Sequence, residues 1–165
     1  MTPADLVLTP RGVRFMGRIL PCSIGKGGLS NLKREGDGAT PTGIHQIVDM
    51  YFRPDRITRP TPWAKAIGPR DLWSDDSRDR AYNSHVRAPY GYSHECLRRA
   101  DPLYDLVIVL NWNWPIAEPG RGSAIFIHQW RRPGYPTEGC IALSRPVLHW
   151  LAARVCLGSQ VIVAG

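Results

Sequence analysis

At 165 residues the chain has the length of one ordinary domain, taken as residues 1–165, and its 43% hydrophobic content suffices for a sizeable core. Its 15 prolines and 16 glycines favour many short strands and turns over a helix bundle. The net charge of +7 suits an anionic partner; the dispersed basic residues argue against nucleic acid, and no run nears the roughly 18 apolar residues of a transmembrane segment.

In chain order, Met1 to Arg11 lacks the basic and long apolar regions of a signal peptide and reads as a lead into a first strand at Leu6 to Leu8. Gly12 to Phe15, Arg18 to Ser23 and Ile44 to Phe52 read as further strands. Residues 53–102, rich in Pro, Arg and Asp, read as a long excursion suited to a lid or wall. Leu106 to Leu110 and Ala124 to Ile127 are short apolar runs expected at the buried centre of a sheet. Ser144 is a predicted N-cap, Pro146 sits in the first turn, and Val147, Leu148, Leu151 and Val155 recur on one face before Gly158. Val161 to Val163 is the last predicted strand. The aromatic residues Tyr51, Trp73, Tyr90, Tyr92, Trp112 and Trp114 are expected to stabilise the core.

One stretch carries chemistry. His128 follows Ala124-Ile125-Phe126-Ile127, and beyond a loop the chain reads Thr137-Glu138-Gly139-Cys140-Ile141. A free thiol titrates near pH 8.5, and a neighbouring imidazole is the commonest device for raising its thiolate fraction at neutral pH. Cys140 is therefore the candidate nucleophile and His128 its general base. Gly139 permits positive φ or close backbone approach, leaving the Cys140 amide to face a developing oxyanion. An activated Cys140 is expected to react with thiol reagents ahead of Cys22, Cys96 and Cys156. Arg131 and Arg132 either solvate the loop or hold a carboxylate bidentately. Trp130 and Tyr135 are placed to line a cleft, and Glu138 is either a turn residue or one that orients an amine. Cys22 and Cys156 read as small buried hydrophobes. His94-Glu95-Cys96 lacks the second ligand pair of a zinc site, and neither metal nor organic cofactor is implied.

These residues resemble the L,D-transpeptidase catalytic domain, the YkuD-type family, whose signature is a His, a spacer, Ser/Thr-x-Gly-Cys and an aliphatic residue. His128, Thr137, Gly139, Cys140 and Ile141 supply it here. Gly25-Lys26-Gly27-Gly28 and Asp37-Gly38-Ala39-Thr40-Pro41-Thr42-Gly43-Ile44 are similar to the family's Thr-Pro-x-Gly turn entering a core strand. The resemblance implies a mainly β, sandwich-like fold with a packed C-terminal helix. It implies a Cys140 thioester with a peptidoglycan stem peptide, the backbone carbonyl of Gln129 orienting His128, and Trp130, Arg131, Arg132, Tyr135, Thr137 and Glu138 binding substrate. Carbapenems as covalent inhibitors and a place in the cell envelope or periplasm follow from it as well, although no signal peptide is visible.

The chain departs from the family pattern in its twelve-position spacing from His128 to Cys140, in Glu138 where many members carry a second His, and in Ala142 where Arg is frequent. Residues 53–101 have no counterpart in that pattern. These departures resemble a short, single-domain proteobacterial subgroup that joins the L-alanine at the first position of one stem to the diaminopimelate at the third position of another. Such a 1,3 cross-link implies a partner amidase or another source of free stems. The alternatives are 3,3 cross-linking, L,D-carboxypeptidase or thiol hydrolase action, and a noncatalytic wall-binding module.

Overall fold

The computed structural model describes Thr2 and residues 4–165; Met1 and Pro3, part of the expected lead into the first strand, lie outside the described residues. In chain order the elements are β1 (Leu6–Thr9), β2 (Gly12–Phe15), β3 (Arg18–Leu20), β4 (Cys22–Ser23), β5 (Leu29–Ser30), β6 (Thr40–Pro41), β7 (Gly43–Phe52) and β8 (Lys65–Ala66). There follow β9 (Asp71–Ser74), β10 (His85–Arg87), β11 (His94–Cys96), β12 (Leu106–Leu110), β13 (Phe126–Gln129), β14 (Ile141–Leu143), α1 (Arg145–Ala152) and β15 (Gln160–Val163). The molecule is mainly β, with sandwich-like sheets and one helix near its C-terminus, as expected.

The principal sheet runs β3-β2-β1-β15-β7-β12-β13-β14-β4, with β8 added to β7. Its two ends approach one another, since β4 also packs against β2. β12 explains the layering. Leu106, Ile108 and Leu110 enter one apolar cluster with Ile127, Ile141, Leu143 and the helix residues Leu148, Leu151 and Ala152. Val107 and Val109 enter a second cluster, on the opposite face, with Tyr51, Trp73, Leu97, Phe126 and Cys140. A strand buried on both faces has no polar side, which is why β12 reads as a continuous apolar run.

The 53–102 excursion covers that second face. β10, β9 and β11 form a separate three-stranded sheet. Trp73 on β9 packs edge-on against Phe126 on β13, ring centroids 5.0 Å apart. Asn83 ties this wall to the segment before β13: its Oδ1 accepts from Trp73 Nε1 at 3.1 Å and from the Ala124 amide at 3.0 Å, and its Nδ2 donates to the carbonyls of Trp112 and Asn113.

Several boundaries differ from expectation for local reasons. Arg18 to Ser23 is two strands, because Pro21 cannot donate to a ladder; β3 pairs with β2 and β4 with β14. β13 begins at Phe126, two residues late, because Ala124 has φ of 54° and cannot extend a strand. Ser144 occupies the N-cap position without a side-chain capping bond, and the helix ends at Ala152. Val155 is buried, but in the turn beyond. Cys156 is exposed in that turn, not buried as expected, and Tyr92 and Trp114 are exposed as well.

Candidate active site

The turn Thr137 to Cys140 is closed by its threonine. Thr137 Oγ1 accepts from the Gly139 amide at 3.1 Å and donates to the Cys140 carbonyl at 2.6 Å. Gly139 has φ of 137°, and a Cβ there would lie 2.8 Å from the Ala39 carbonyl oxygen. The second family-like segment braces the same turn: Thr40 Oγ1 donates to the Gly139 carbonyl at 2.8 Å while accepting from the Gly25 amide at 2.9 Å. Lys26 adds a backbone bond to the Thr137 carbonyl at 2.8 Å. Two motifs about a hundred residues apart therefore form one support.

Cys140 emerges from that turn just ahead of β14, which runs parallel to β13 with His128 opposite Ala142. Partners in a parallel pair face the same way and side chains alternate, so this register sends His128 and Cys140 toward the same face. Both line a cleft of about 550 Å³. The thiol donates to the Ala124 carbonyl at 3.1 Å and receives the Phe126 amide at 3.4 Å. His128 Nδ1 lies 2.7 Å from the Gln129 carbonyl, a bond that an Nδ1–H must donate, which leaves Nε2 as the basic nitrogen. The edge of the imidazole meets Tyr104, centroids 5.3 Å apart.

Burial sets the resting charge states of the pair. Burial pushes the Cys140 thiol up to about 12, with the Glu95 carboxylate adding to the shift. Burial likewise drives His128 down to about 4. At neutral pH the pair rests as thiol and neutral imidazole, both 7% exposed. The sulfur keeps its proton, directed at the Ala124 carbonyl, and is not a standing thiolate.

The other expected residues divide. Trp130, Arg131, Tyr135, Thr137 and Glu138 line the cleft, whereas Gln129 and Gly139 act through their backbones. Arg132 does not line it; its guanidinium lies over Tyr135, 5.1 Å from the ring centroid. Glu138 pairs with Lys26 at 2.8 Å across an exposed rim, a contact worth little. Among the described residues no group of three or more His, Cys, Asp or Glu could hold a metal ion.

Sequence reasoning missed Lys33, Glu35, Glu95, Arg99 and Tyr104, which also line the cleft. Glu95 belongs to the triplet weighed above as metal ligands. On β11 the side chains alternate, so the exposed His94 and Cys96 face away while Glu95, registered opposite Trp73, turns inward. Tyr104 Oη donates to Glu95 Oε2 at 2.6 Å. Burial raises the Glu95 carboxyl above its ordinary range, with the Tyr104 bond opposing the shift.

The fold thus gathers a braced Thr-x-Gly-Cys turn and a carbonyl-held His at one cleft. The sequence model of the L,D-transpeptidase catalytic domain, YkuD, matches residues 6–163, and the chain belongs to that family. The family is one of acyltransferases acting on peptidoglycan. Among solved structures, the chain is similar to an L,D-transpeptidase from Mycobacterium smegmatis at 16% identity and a TM-score of 0.45, over 98% of this chain and 57% of that one. The chain thus spans less than two thirds of that protein's length. No curated protein matches it.

Proposed function

We propose that the chain is one catalytic domain that forms a thioester between Cys140 and a donor stem peptide and passes the acyl group to an amine of a second stem. Cys140 Sγ attacks the carbonyl of the donor's L-centred residue while its proton moves to His128 Nε2. The same proton leaves with the departing D-residue amine, so the C–N bond breaks and the C–S bond remains. The acceptor amine then attacks the thioester, loses a proton to His128 and displaces the thiolate, which His128 reprotonates. The observation that carries this reading is the 2.7 Å contact between His128 Nδ1 and the Gln129 carbonyl, which fixes the tautomer whose basic nitrogen is free in the cleft shared with Cys140.

The finer assignment is a 1,3 cross-link made in the cell envelope. An α-amine, such as that of the L-alanine opening a stem peptide, has a reference pKa of about 8, against about 10.4 for a side-chain amine, so more of it is the neutral nucleophile at pH 7. A partner amidase would supply such stems, and carbapenems would acylate Cys140. Purified protein incubated with muropeptides tests the whole: cross-linked dimers support transpeptidation, trimmed monomers indicate carboxypeptidase action, and no change a noncatalytic module. Tandem mass spectrometry of a dimer locates the bond, and an exclusive 3,3 linkage would sink the 1,3 assignment alone.

A further inference from the structure

Of the charges that line the cleft, Arg99 is held by Asp101 at 2.7 Å, Lys33 by Asp37 at 2.5 Å and Glu138 by Lys26 at 2.8 Å, while Arg131 lies over the Tyr135 ring, 5.8 Å from its centroid. Two carboxylates of the lining, Glu35 and Glu95, have no ion-pair partner among the described residues; Glu35 takes the Tyr82 hydroxyl at the margin, and Glu95 is the one that acts on Cys140. Among the described residues its carboxylate takes one hydrogen bond, from Tyr104 to Oε2, and forms no ion pair, in a chain of net charge +7. Tyr104 is itself buried and packed against both His128 and Phe126, so the carboxylate is held by a fixed support and not by a mobile surface contact.

The role of Glu95 is not to activate the nucleophile, because an anion beside Cys140 opposes thiolate formation. That opposition disappears once the sulfur is acylated and has no proton to lose. The next species to enter is an amine, which at neutral pH is largely an ammonium and must shed a proton before it can attack.

Resting on the thioester reading above, we propose that Glu95 is the acceptor-binding residue: its carboxylate receives the acceptor ammonium and takes the first of the two protons that the ammonium must lose. The ammonium gives that proton to Glu95, leaving a neutral amine and a carboxylic acid. The amine's lone pair forms the new C–N bond, its second proton passes to His128 Nε2, and the C–S bond breaks with return of that proton to sulfur. Glu95 then loses its proton to water. The raised affinity of Glu95 for protons suits the step, and the charged or titratable groups acting on it are Tyr104, Asp75, Arg99 and Glu35. The ligand class is therefore a primary amine carried by a peptide.

The test uses Glu95→Gln, which keeps an oxygen for Tyr104, with a donor stem peptide and a separate amine-bearing acceptor stem. Release of the donor's terminal D-amino acid reports acylation, and the cross-linked product reports aminolysis. The variant is expected to lose about 10- to 100-fold in aminolysis relative to acylation, as a rise in KM for the acceptor, which is the usual worth of a hydrogen bond to a charged group. Equal loss in both half-reactions would show a merely structural role, and an unaltered acceptor KM would also overturn the assignment. Wild-type protein that releases no D-amino acid would instead overturn the cysteine-acylation reading, and this inference with it.

Discussion

Burial explains the charge states of Cys140 and His128 together, for both side chains are buried on the sheet face that the 53–102 wall covers. Desolvation disfavours the charged form of each, raising the thiol and lowering the imidazole. If His128 must be neutral to accept the thiol proton, the acid limb of kcat/KM falls near pH 4 and not near the usual 6.5. A limb at about 6 to 7 would mean that the imidazole is solvated in the working enzyme. The same burial reverses the labelling order expected from sequence: iodoacetamide at neutral pH should modify the exposed Cys96 and Cys156 before Cys140, a sequence that mass mapping over time reads directly. Cys140 and His128 were legible because their motif is local. Glu95 was not, because a residue 45 positions upstream enters the site only through the folding back of β11.

Elements that never touch the sulfur nonetheless fix its position. The Thr40 hydroxyl bonds the turn of Cys140 from the strand-entry segment, and the Ala39 carbonyl leaves no room for a side chain at Gly139. Gly139→Ala would force a side chain into positive φ and against a backbone oxygen, and is expected to cost at least about 1 kcal/mol, with a lower Tm and little remaining turnover. Asn83 acts similarly across the wall. Its amide side chain meets four partners, two of them backbone carbonyls, so Asn83→Ala leaves several buried groups unpaired and should cost about 2 to 4 kcal/mol by urea denaturation. Strand β12 was readable because two-sided burial demands an apolar run, and the Thr-Pro-x-Gly segment because its residues are contiguous. The late start of β13 was hidden, since nothing in the run Ala124 to Ile127 announces a left-handed alanine.

For the molecule as a whole, acid should be destabilising well above the range of the carboxylates. His45, His128 and His149 all have folded values lowered by burial. A lowered histidine is neutral when folded but takes a proton when unfolded, so its stability is present above pH 6.5 and is lost as the pH falls toward the folded value. For His128 that window runs from about 6.5 to about 4 and is worth about 3 kcal/mol. Calorimetric Tm should therefore decline across it, and His128→Gln should flatten part of the slope; an unchanged slope would place the loss elsewhere. The mainly β class followed from composition and run lengths. The strand order did not, because β15 enters between β1 and β7 through contacts spanning most of the chain, and local pattern carries no record of such pairings.

The thiol proton resting on the Ala124 carbonyl has a consequence for oxidative damage. Peroxide attacks thiolates far faster than thiols, and a sulfur that keeps its proton to about pH 12 offers it almost none at neutral pH. Cys140 should thus resist the irreversible oxidation that disables readily ionised cysteines. On exposure to about millimolar hydrogen peroxide, mass mapping should find Cys96 and Cys156 converted to sulfenic acid while Cys140 remains a thiol.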